Sequence, residues 1–125
     1  MRLLLDTHVL LWWLADDPRL STQAREAIAD GTNVVAVSAA TAWEVAIKRT
    51  TGKLKAPDDL VERLDANGFV DLPITLADAL AAGHLPRHHD DLFDRMLIAQ
   101  AQSHEMTVVT RDRRFERYGI NLLPA

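Results

Sequence analysis

Short apolar runs without polar interruption recur along the chain, and helical stretches separate them. The clearest are residues 3–5 (LLL) and 34–37 (VVAV). Runs without apolar–polar alternation are typical of strands buried on both faces of a parallel sheet. Strands are therefore predicted at 2–6, 33–37, 69–72, 106–110 and 120–123, and helices at 8–14, 22–29, 39–50, 57–67, 75–82 and 92–104, with a helical turn at 112–117. This alternation indicates an α/β fold with a central, mainly parallel sheet.

Capping residues set the predicted helix ends. Ser21 and Ser38 are suited to cap the helices that follow them, because a serine oxygen can accept a backbone N–H of the first turn. Pro57 is predicted to begin one helix and Gly83 to end another, which are the usual positions of these residues.

Composition indicates one globular domain spanning residues 1–125. With 125 residues, of which 48% are hydrophobic and 26% charged, the chain can build a single core. It contains no cysteine, so disulfides and thiolate metal sites are excluded, which fits a reducing cytoplasm. The apolar stretch 1–14 contains Asp6 and His8 and is too short to span a bilayer, so we expect a cytoplasmic protein without a membrane partner.

The formal net charge of −4 argues against nucleic-acid binding, which depends on Lys and Arg. Two basic clusters lie within this acidic average. The first comprises Lys48, Arg49, Lys53 and Lys55, and the second comprises Arg111, Arg113, Arg114 and Arg117. Either cluster could be an RNA-binding surface or simply a solvated face.

Four carboxylates follow predicted strands or begin predicted helices within apolar sequence: Asp6, Glu44, Asp94 and Asp112. Ligands of open parallel sheets collect at the carboxyl ends of the strands, where these four side chains would meet. Each also has a simpler interpretation. Asp6 could cap a helix, Glu44 could pair with Lys48, Asp94 could be an acid of a first turn capped by Asp91, and Asp112 could form a turn.

Four acids at one sheet edge would repel one another unless a cation lay between them. Oxygen ligands without cysteine, and without an obligatory histidine, favour Mg²⁺ or Mn²⁺ over Zn²⁺. Carboxylate-held Mg²⁺ usually acts on phosphates, where it activates water and stabilises the leaving oxygen. The acidic set therefore predicts metal-dependent phosphate chemistry.

Four motifs occur in order along the chain: LLLDTH from residue 3, WEVAIK from residue 43, FDRMLIA from residue 93 and VTRD from residue 109. Together they resemble PIN-domain ribonucleases, specifically VapC-type toxins of toxin–antitoxin pairs. The resemblance implies a three-layer α/β/α fold and a Mg²⁺- or Mn²⁺-dependent endoribonuclease that a cognate antitoxin holds inactive. It covers nearly the whole chain.

The resemblance also implies roles for individual residues. Asp6, Glu44, Asp94 and Asp112 would be the catalytic metal ligands, and Thr7 and Thr110 would support the carboxylates. Asp91 is a further ligand candidate, although Leu92 stands between the two aspartates where related sequences often have proline.

The remaining predictions concern surfaces. The candidate RNA-binding residues are Lys48, Arg49, Arg95, Arg111, Arg113 and Arg114. His88 and His89 are predicted to be solvent-exposed loop residues, and Trp12 and Trp13 to be core or interface anchors and not base-stacking platforms. Helix 8–14 is apolar on every side, so we expect a second subunit or the antitoxin to cover it and a homodimer to form.

Two other functions are compatible with parts of the sequence. A phosphatase-like enzyme could use Asp6 as its nucleophile, but such enzymes usually carry a second aspartate two positions later, where this chain has His8. A non-catalytic RNA-binding module is the other alternative. It would gain nothing from four clustered carboxylates, because they repel a polyanion.

Overall fold

A computed structural model describes residues 1–125 and contains one five-stranded sheet in the order β3-β2-β1-β4-β5. All neighbouring strands are parallel, and Leu4 of the central strand lies opposite Ala36 on one side and Val108 on the other. The strands are β1 (Arg2–Leu5), β2 (Val34–Ser38), β3 (Val70–Leu72), β4 (Thr107–Thr110) and β5 (Leu122–Pro124).

Six α-helices and one 3₁₀ helix connect the strands. The α-helices are α1 (Thr7–Leu14), α2 (Thr22–Ala29), α3 (Ala39–Thr50), α4 (Leu60–Ala66), α5 (Leu76–His84) and α6 (Leu92–His104), and the 3₁₀ helix is Arg113–Tyr118. Ser21 and Ser38 cap α2 and α3 through their side chains, as predicted. No helix combines the length and the apolar character needed to cross a membrane.

The sheet separates two hydrophobic clusters, which gives the predicted three layers. Leu3 and Leu5 of β1 belong to one cluster with residues of α1, α2 and α4, whereas Leu4 belongs to the other with residues of α6 and the 3₁₀ helix. Successive strand residues face opposite sides of a sheet, so a continuous leucine run has to be covered by helices on both faces.

Two predicted helix ends are wrong. α4 begins at Leu60, after a turn, and not at Pro57. α5 continues through Gly83 to His84. The reason for the second difference lies in α6, because the guanidinium group of Arg95 donates to the carbonyl oxygens of Ala82 and Leu85 at 2.9 Å each. These bonds satisfy carbonyls at the end of α5 without a glycine cap.

Coverage of helix 8–14 by a second subunit or the antitoxin stays a prediction, but much of the helix is already buried in the single chain. Within the chain itself, Val9 and Leu10 are fully buried, and Trp12, Trp13 and Leu14 pack, partly buried, against the first cluster. Loops and neighbouring helices of the same chain therefore cover much of α1.

Candidate active site

Asp6 lies at the carboxyl end of the central strand and combines two roles. One carboxylate oxygen, Oδ1, accepts the backbone N–H of Val9 at 2.8 Å and caps α1, while Oδ2 accepts a hydrogen bond from the Thr110 hydroxyl. Each carboxylate oxygen has two acceptor positions, so capping leaves capacity for a further ligand. Burial raises the pKa of Asp6. The capping interpretation is thus correct, and it is compatible with a metal-binding role.

Two threonines hold carboxylates of the predicted set. The Thr110 hydroxyl donates to Asp6 and accepts the backbone N–H of Asp112 at 3.0 Å, so it connects two of the acids. The Thr7 hydroxyl donates to Glu44 Oε1 at 2.5 Å and connects the start of α1 to α3. These contacts fix the orientation of the carboxylates.

Glu44 is buried, with 5% of its surface exposed, and it also pairs with Lys48 one helical turn later. The ion pair predicted as an alternative is therefore present, but it is not an ordinary surface pair. Hydrogen bonding to Glu44 raises the pKa of the Lys48 ammonium, and the negative charges of Asp91 and Asp94 act in the same direction. Lys48 accordingly lies in the field of several acids.

His89 belongs to the site, and the prediction that it is an exposed loop residue is wrong. Its side chain is 1% exposed, and its Nε2 lies 2.7 Å from Asp94 Oδ2 and 3.6 Å from Asp112 Oδ2. The ligand atoms of His89, Asp94 and Asp112 all lie within 4.8 Å of one another. His88, by contrast, is exposed as predicted.

Residues distant in sequence hold the loop that carries His89 in place through hydrogen bonds and ring packing. The Tyr118 hydroxyl accepts the backbone N–H groups of His88 and His89 at 3.1 and 2.9 Å and donates to Pro86 O at 2.7 Å. The Phe115 ring packs edge-on against the His89 ring. A single sequence contains no local signal for these contacts, because the loop itself is polar.

Arg95 is a structural residue, and its prediction as an RNA contact is wrong. It is buried, and its guanidinium group donates to carbonyl oxygens of the preceding helix and loop: Ala82, Gly83, Leu85, Pro86 and His89. It makes no pair with Asp91. Its donors are therefore used within the chain, where they hold the loop in place.

The aspartates of the site have pKa values shifted in opposite directions. Burial, together with the nearby negative charge of Asp91, raises the pKa of Asp94 to about 7, although its contact with His89 acts in the opposite direction. The Arg114 guanidinium, which binds Asp112 through two bonds of 2.7 and 3.0 Å, lowers the pKa of Asp112. Asp91 caps α6 by accepting the backbone N–H of Asp94 at 3.0 Å.

The other basic residues predicted to contact RNA have different surroundings. Arg113 is highly exposed and lies 3.6 Å from Glu116. Arg49 pairs with Asp58, and Arg111 packs against the ring of Trp12. Carboxylate oxygens without a thiolate form a donor set that suits hard divalent cations such as Mg²⁺ or Mn²⁺.

Comparison with known proteins identifies the family to which this chain belongs. The family model described as PIN domain matches residues 3–121. Ribonuclease VapC22 of Mycobacterium tuberculosis is 32% identical over 118 residues, which are 92% of this chain and 90% of that protein. Such identity over nearly the full length of both chains indicates common descent and a common fold.

Solved structures have the same fold at lower identity. VapBC2 from Rickettsia felis, bound to a DNA fragment from its promoter, has a TM-score of 0.72 at 18% identity and covers 99% of this chain and 98% of that chain. DNA-bound VapBC from Salmonella typhimurium has a TM-score of 0.72 at 21% identity with the same coverage. A toxin–antitoxin complex from Klebsiella pneumoniae has a TM-score of 0.59 at 23% identity, covering 87% of this chain and 85% of that chain.

Proposed function

The chain belongs to the PIN-domain family, and from this membership we propose that it is a metal-dependent endoribonuclease acting as the toxin of a toxin–antitoxin pair. The observation that carries the proposal is the gathering of acids from separate segments at the carboxyl edge of the sheet. Asp94 and Asp112 share His89, and Asp6 is tied to Asp112 through Thr110. The similarity to a protein named as a ribonuclease supports RNA as the substrate.

We propose Asp6, Glu44, Asp94 and Asp112 as the catalytic carboxylates that would hold Mg²⁺ or Mn²⁺, with Asp91 as a further candidate. When bound, the ion would supply an activated water and stabilise negative charge on the phosphate. The hydroxyl groups of Thr7 and Thr110 keep Glu44 and Asp6 oriented toward this edge. Because the two hydroxyl groups already hold these carboxylates, the side chains would move little when the metal ion binds.

Basic residues beside the acids would hold the RNA backbone. Lys48 pairs with Glu44, and Arg114 pairs with Asp112. Each basic side chain could exchange its carboxylate partner for a phosphate of the RNA. Arg111 and Arg113 are exposed nearby, and Arg49 is farther along α3. Such contacts would make RNA affinity fall as salt concentration rises.

We also propose a homodimer and a cognate antitoxin partner, for which the toxin–antitoxin complexes of similar fold give support. The homodimer proposal rests on an exposed apolar surface. Large hydrophobic side chains of α3, α5 and the start of α6 are exposed there: Trp43, Ile47, Leu76, Leu80 and Leu92. Large exposed apolar side chains often mark protein interfaces.

Light scattering after size-exclusion chromatography tests the homodimer. Leu76→Asp with Leu80→Asp should convert a dimer to a monomer, because both side chains are exposed in the single chain, by 80% and 58%. Val61→Asp, at an exposed apolar residue of α4, is the matched control and should leave the dimer intact. A monomeric wild type at micromolar concentration would exclude this part of the proposal.

The geometry around Asp6 does not favour a phosphatase-like reaction. Both carboxylate oxygens already accept hydrogen bonds from the chain, and the side chain is buried, which suits a fixed ligand more than an attacking nucleophile. A stable phosphoryl adduct on Asp6 would support that alternative instead.

Cleavage of defined RNAs by the purified protein tests the ribonuclease proposal. We expect cleavage with Mg²⁺ or Mn²⁺, none in excess EDTA, and a large loss in the nearly isosteric Asp6→Asn, Glu44→Gln, Asp94→Asn and Asp112→Asn variants. Their combined effects should be non-additive, because the four groups act through one site. Full activity in excess chelator would exclude the metal-dependent reaction. Expression of the wild type, but not of Asp6→Asn, should arrest growth.

A further inference from the structure

A cleft of about 300 Å³ opens beside the acidic site. It is lined by two acids of the site and by three further residues: Asp6, Asp112, His8, Trp12 and Arg111. The acids have a role in the proposed reaction, but the two rings do not. The cleft therefore adjoins the site, and some of the groups that line it have no role in the proposed reaction.

α1 places His8 and Trp12 on the same face, because they are four residues apart on a helix. Their ring centroids are 6.1 Å apart, His8 is exposed, and Trp12 is half-buried. Trp13 has a different environment, since it packs against Phe69 and donates to Asn67 Oδ1 at 3.0 Å. Both tryptophans pack against the first cluster, as predicted, but Trp12 also lines the cleft.

The guanidinium group of Arg111 is held over the Trp12 ring, and some of its N–H groups make no hydrogen bond within the chain. Its guanidinium carbon lies 4.5 Å from the centroid of the Trp12 ring, a distance at which the cation is attracted to the ring. Its Nη2 donates to the main-chain oxygens of Ala125, at 3.0 Å, and Arg19. Its Nε and Nη1 make no hydrogen bond within the chain, so a positioned cation faces solvent beside the acids.

The nearby Arg19 differs from Arg111 in this respect. It also lies over Trp12, at 5.4 Å, but its guanidinium group binds both carboxylate oxygens of Asp17. Its charge is therefore largely compensated. Arg111 binds no carboxylate side chain, and its Nε and Nη1 can bind an anion.

We propose that this cleft is a nucleotide subsite for single-stranded RNA, in which Arg111 binds a phosphate next to the bond to be cut and the His8 and Trp12 rings contact the base. The proposal rests on the proposed ribonuclease function and extends it. A fixed guanidinium beside aromatic rings matches the two parts of a nucleotide, because phosphates bind arginine and unstacked bases bind aromatic faces. A site for a simple anion would not require the His8 and Trp12 rings.

Steady-state cleavage of a single-stranded RNA with Mn²⁺ tests the subsite. Trp12→Leu should lower kcat/KM by about 5- to 150-fold, the range for loss of one base–aromatic contact, with most of the change in KM. Trp12→Phe should recover much of this loss because it keeps an aromatic face. Trp13→Leu is the matched control and should leave KM unchanged, since Trp13 faces Phe69.

Arg111→Gln should raise KM and reduce the salt slope of RNA affinity by about 0.7, the value for one lost contact to a single strand. Arg2→Gln is its control, because Arg2 lies at the amino end of β1, at the opposite edge of the sheet. An RNA with an abasic nucleotide beside the cleaved bond should be cut poorly by the wild type. For Trp12→Leu, the abasic RNA should lower kcat/KM little further, because this variant has already lost the contact with the base.

The outcomes separate this proposal from the ribonuclease proposal. A wild type that cuts RNA, with folded Trp12→Leu and Arg111→Gln proteins retaining its KM, would overturn the subsite alone. Equal losses in Trp12→Leu and Trp13→Leu would also overturn it, because the effect would then reflect packing. A wild type that cuts no RNA in Mn²⁺ would remove the ribonuclease function and the subsite with it.

Discussion

The Nε2 atom of His89 lies 2.7 Å from Asp94 Oδ2, and this contact joins the loop before α6 to the acidic edge of the sheet. The backbone N–H of Asp91 lies 3.4 Å from Nδ1 of the same ring, so both ring nitrogens have a partner within the chain. His89 thus holds one carboxylate of the proposed metal site while it approaches a second, that of Asp112.

His89 should therefore control metal affinity. His89→Ala removes the group that orients Asp94, and we expect Mn²⁺ affinity to fall about 10- to 100-fold, as for other residues that position metal ligands. His89→Gln retains an N–H donor and should recover part of the loss. His88→Ala alters an exposed neighbour and should have no effect. Mn²⁺ titration followed by electron paramagnetic resonance measures these constants, and equal affinities in all the proteins would show that His89 has no positioning role.

Arg95 should matter for stability and not for RNA binding. Arg95→Met removes the donors that satisfy carbonyls at the end of α5 and in the following loop. Leaving buried polar groups without partners should lower the free energy of unfolding by about 2–4 kcal/mol. Urea unfolding measures the change, and Arg87→Met, at an exposed position of the same loop, should leave it nearly unaltered. An Arg95→Met protein of wild-type stability with weakened RNA binding would reverse this assignment.

The difference between His89 or Arg95 and the four acids explains what the sequence could predict. Asp6 and Asp112 follow buried strands, whose position the apolar runs indicate, and Glu44 and Asp94 lie in predicted helices, so their common edge can be predicted from local pattern and sheet topology. His89 and Arg95 are buried by long-range contacts with Tyr118 and with the end of α5. A polar loop sequence contains no information about those contacts.

α1 illustrates a second kind of limit. Because the helix is apolar nearly all round, its pattern has no polar face to indicate which way each side chain points. Trp12 and Trp13 are consequently equivalent in the sequence, although one lines the cleft beside Asp6 and the other packs on Phe69. The caps Ser21 and Ser38 are local signals, and they were predicted correctly.

Arg114 and Arg113 should have unequal effects despite their adjacency. Arg114 binds Asp112 and lowers the pKa of that carboxylate, so Arg114→Gln should raise the Asp112 pKa toward its ordinary value. A lowered folded-state pKa contributes stability above the unfolded-state pKa, which is lost as pH falls through the folded-state value, and the variant should lack this contribution. Carbon-13 NMR titration of the aspartate side chains measures the shift. Arg113→Gln should leave the Asp112 titration unaltered, and equal titrations in both variants would contradict the pairing.

Asp94 should destabilise the metal-free protein as pH rises. Its pKa is raised to about 7 from 3.8, chiefly by burial and next by the charge of Asp91. A carboxyl group with a raised folded-state pKa costs no stability below the unfolded-state value, and the cost grows as pH rises through the folded-state value. At pH 8 without metal, Asp94→Asn should therefore melt a few degrees higher than the wild type, and the difference should disappear near pH 4.

Added metal should reverse this order. A ligand that binds only the folded state stabilises it by about 2.7 kcal/mol at one hundred times its dissociation constant, so millimolar Mn²⁺ should stabilise the wild type more than Asp94→Asn. Calorimetry at pH 8 with and without Mn²⁺ measures both effects, and Asp90→Asn, which changes an exposed acid of the preceding loop, is the control that should follow the wild type. If the wild type and Asp94→Asn melted together without metal and neither responded to Mn²⁺, Asp94 would not belong to a shared acidic metal site.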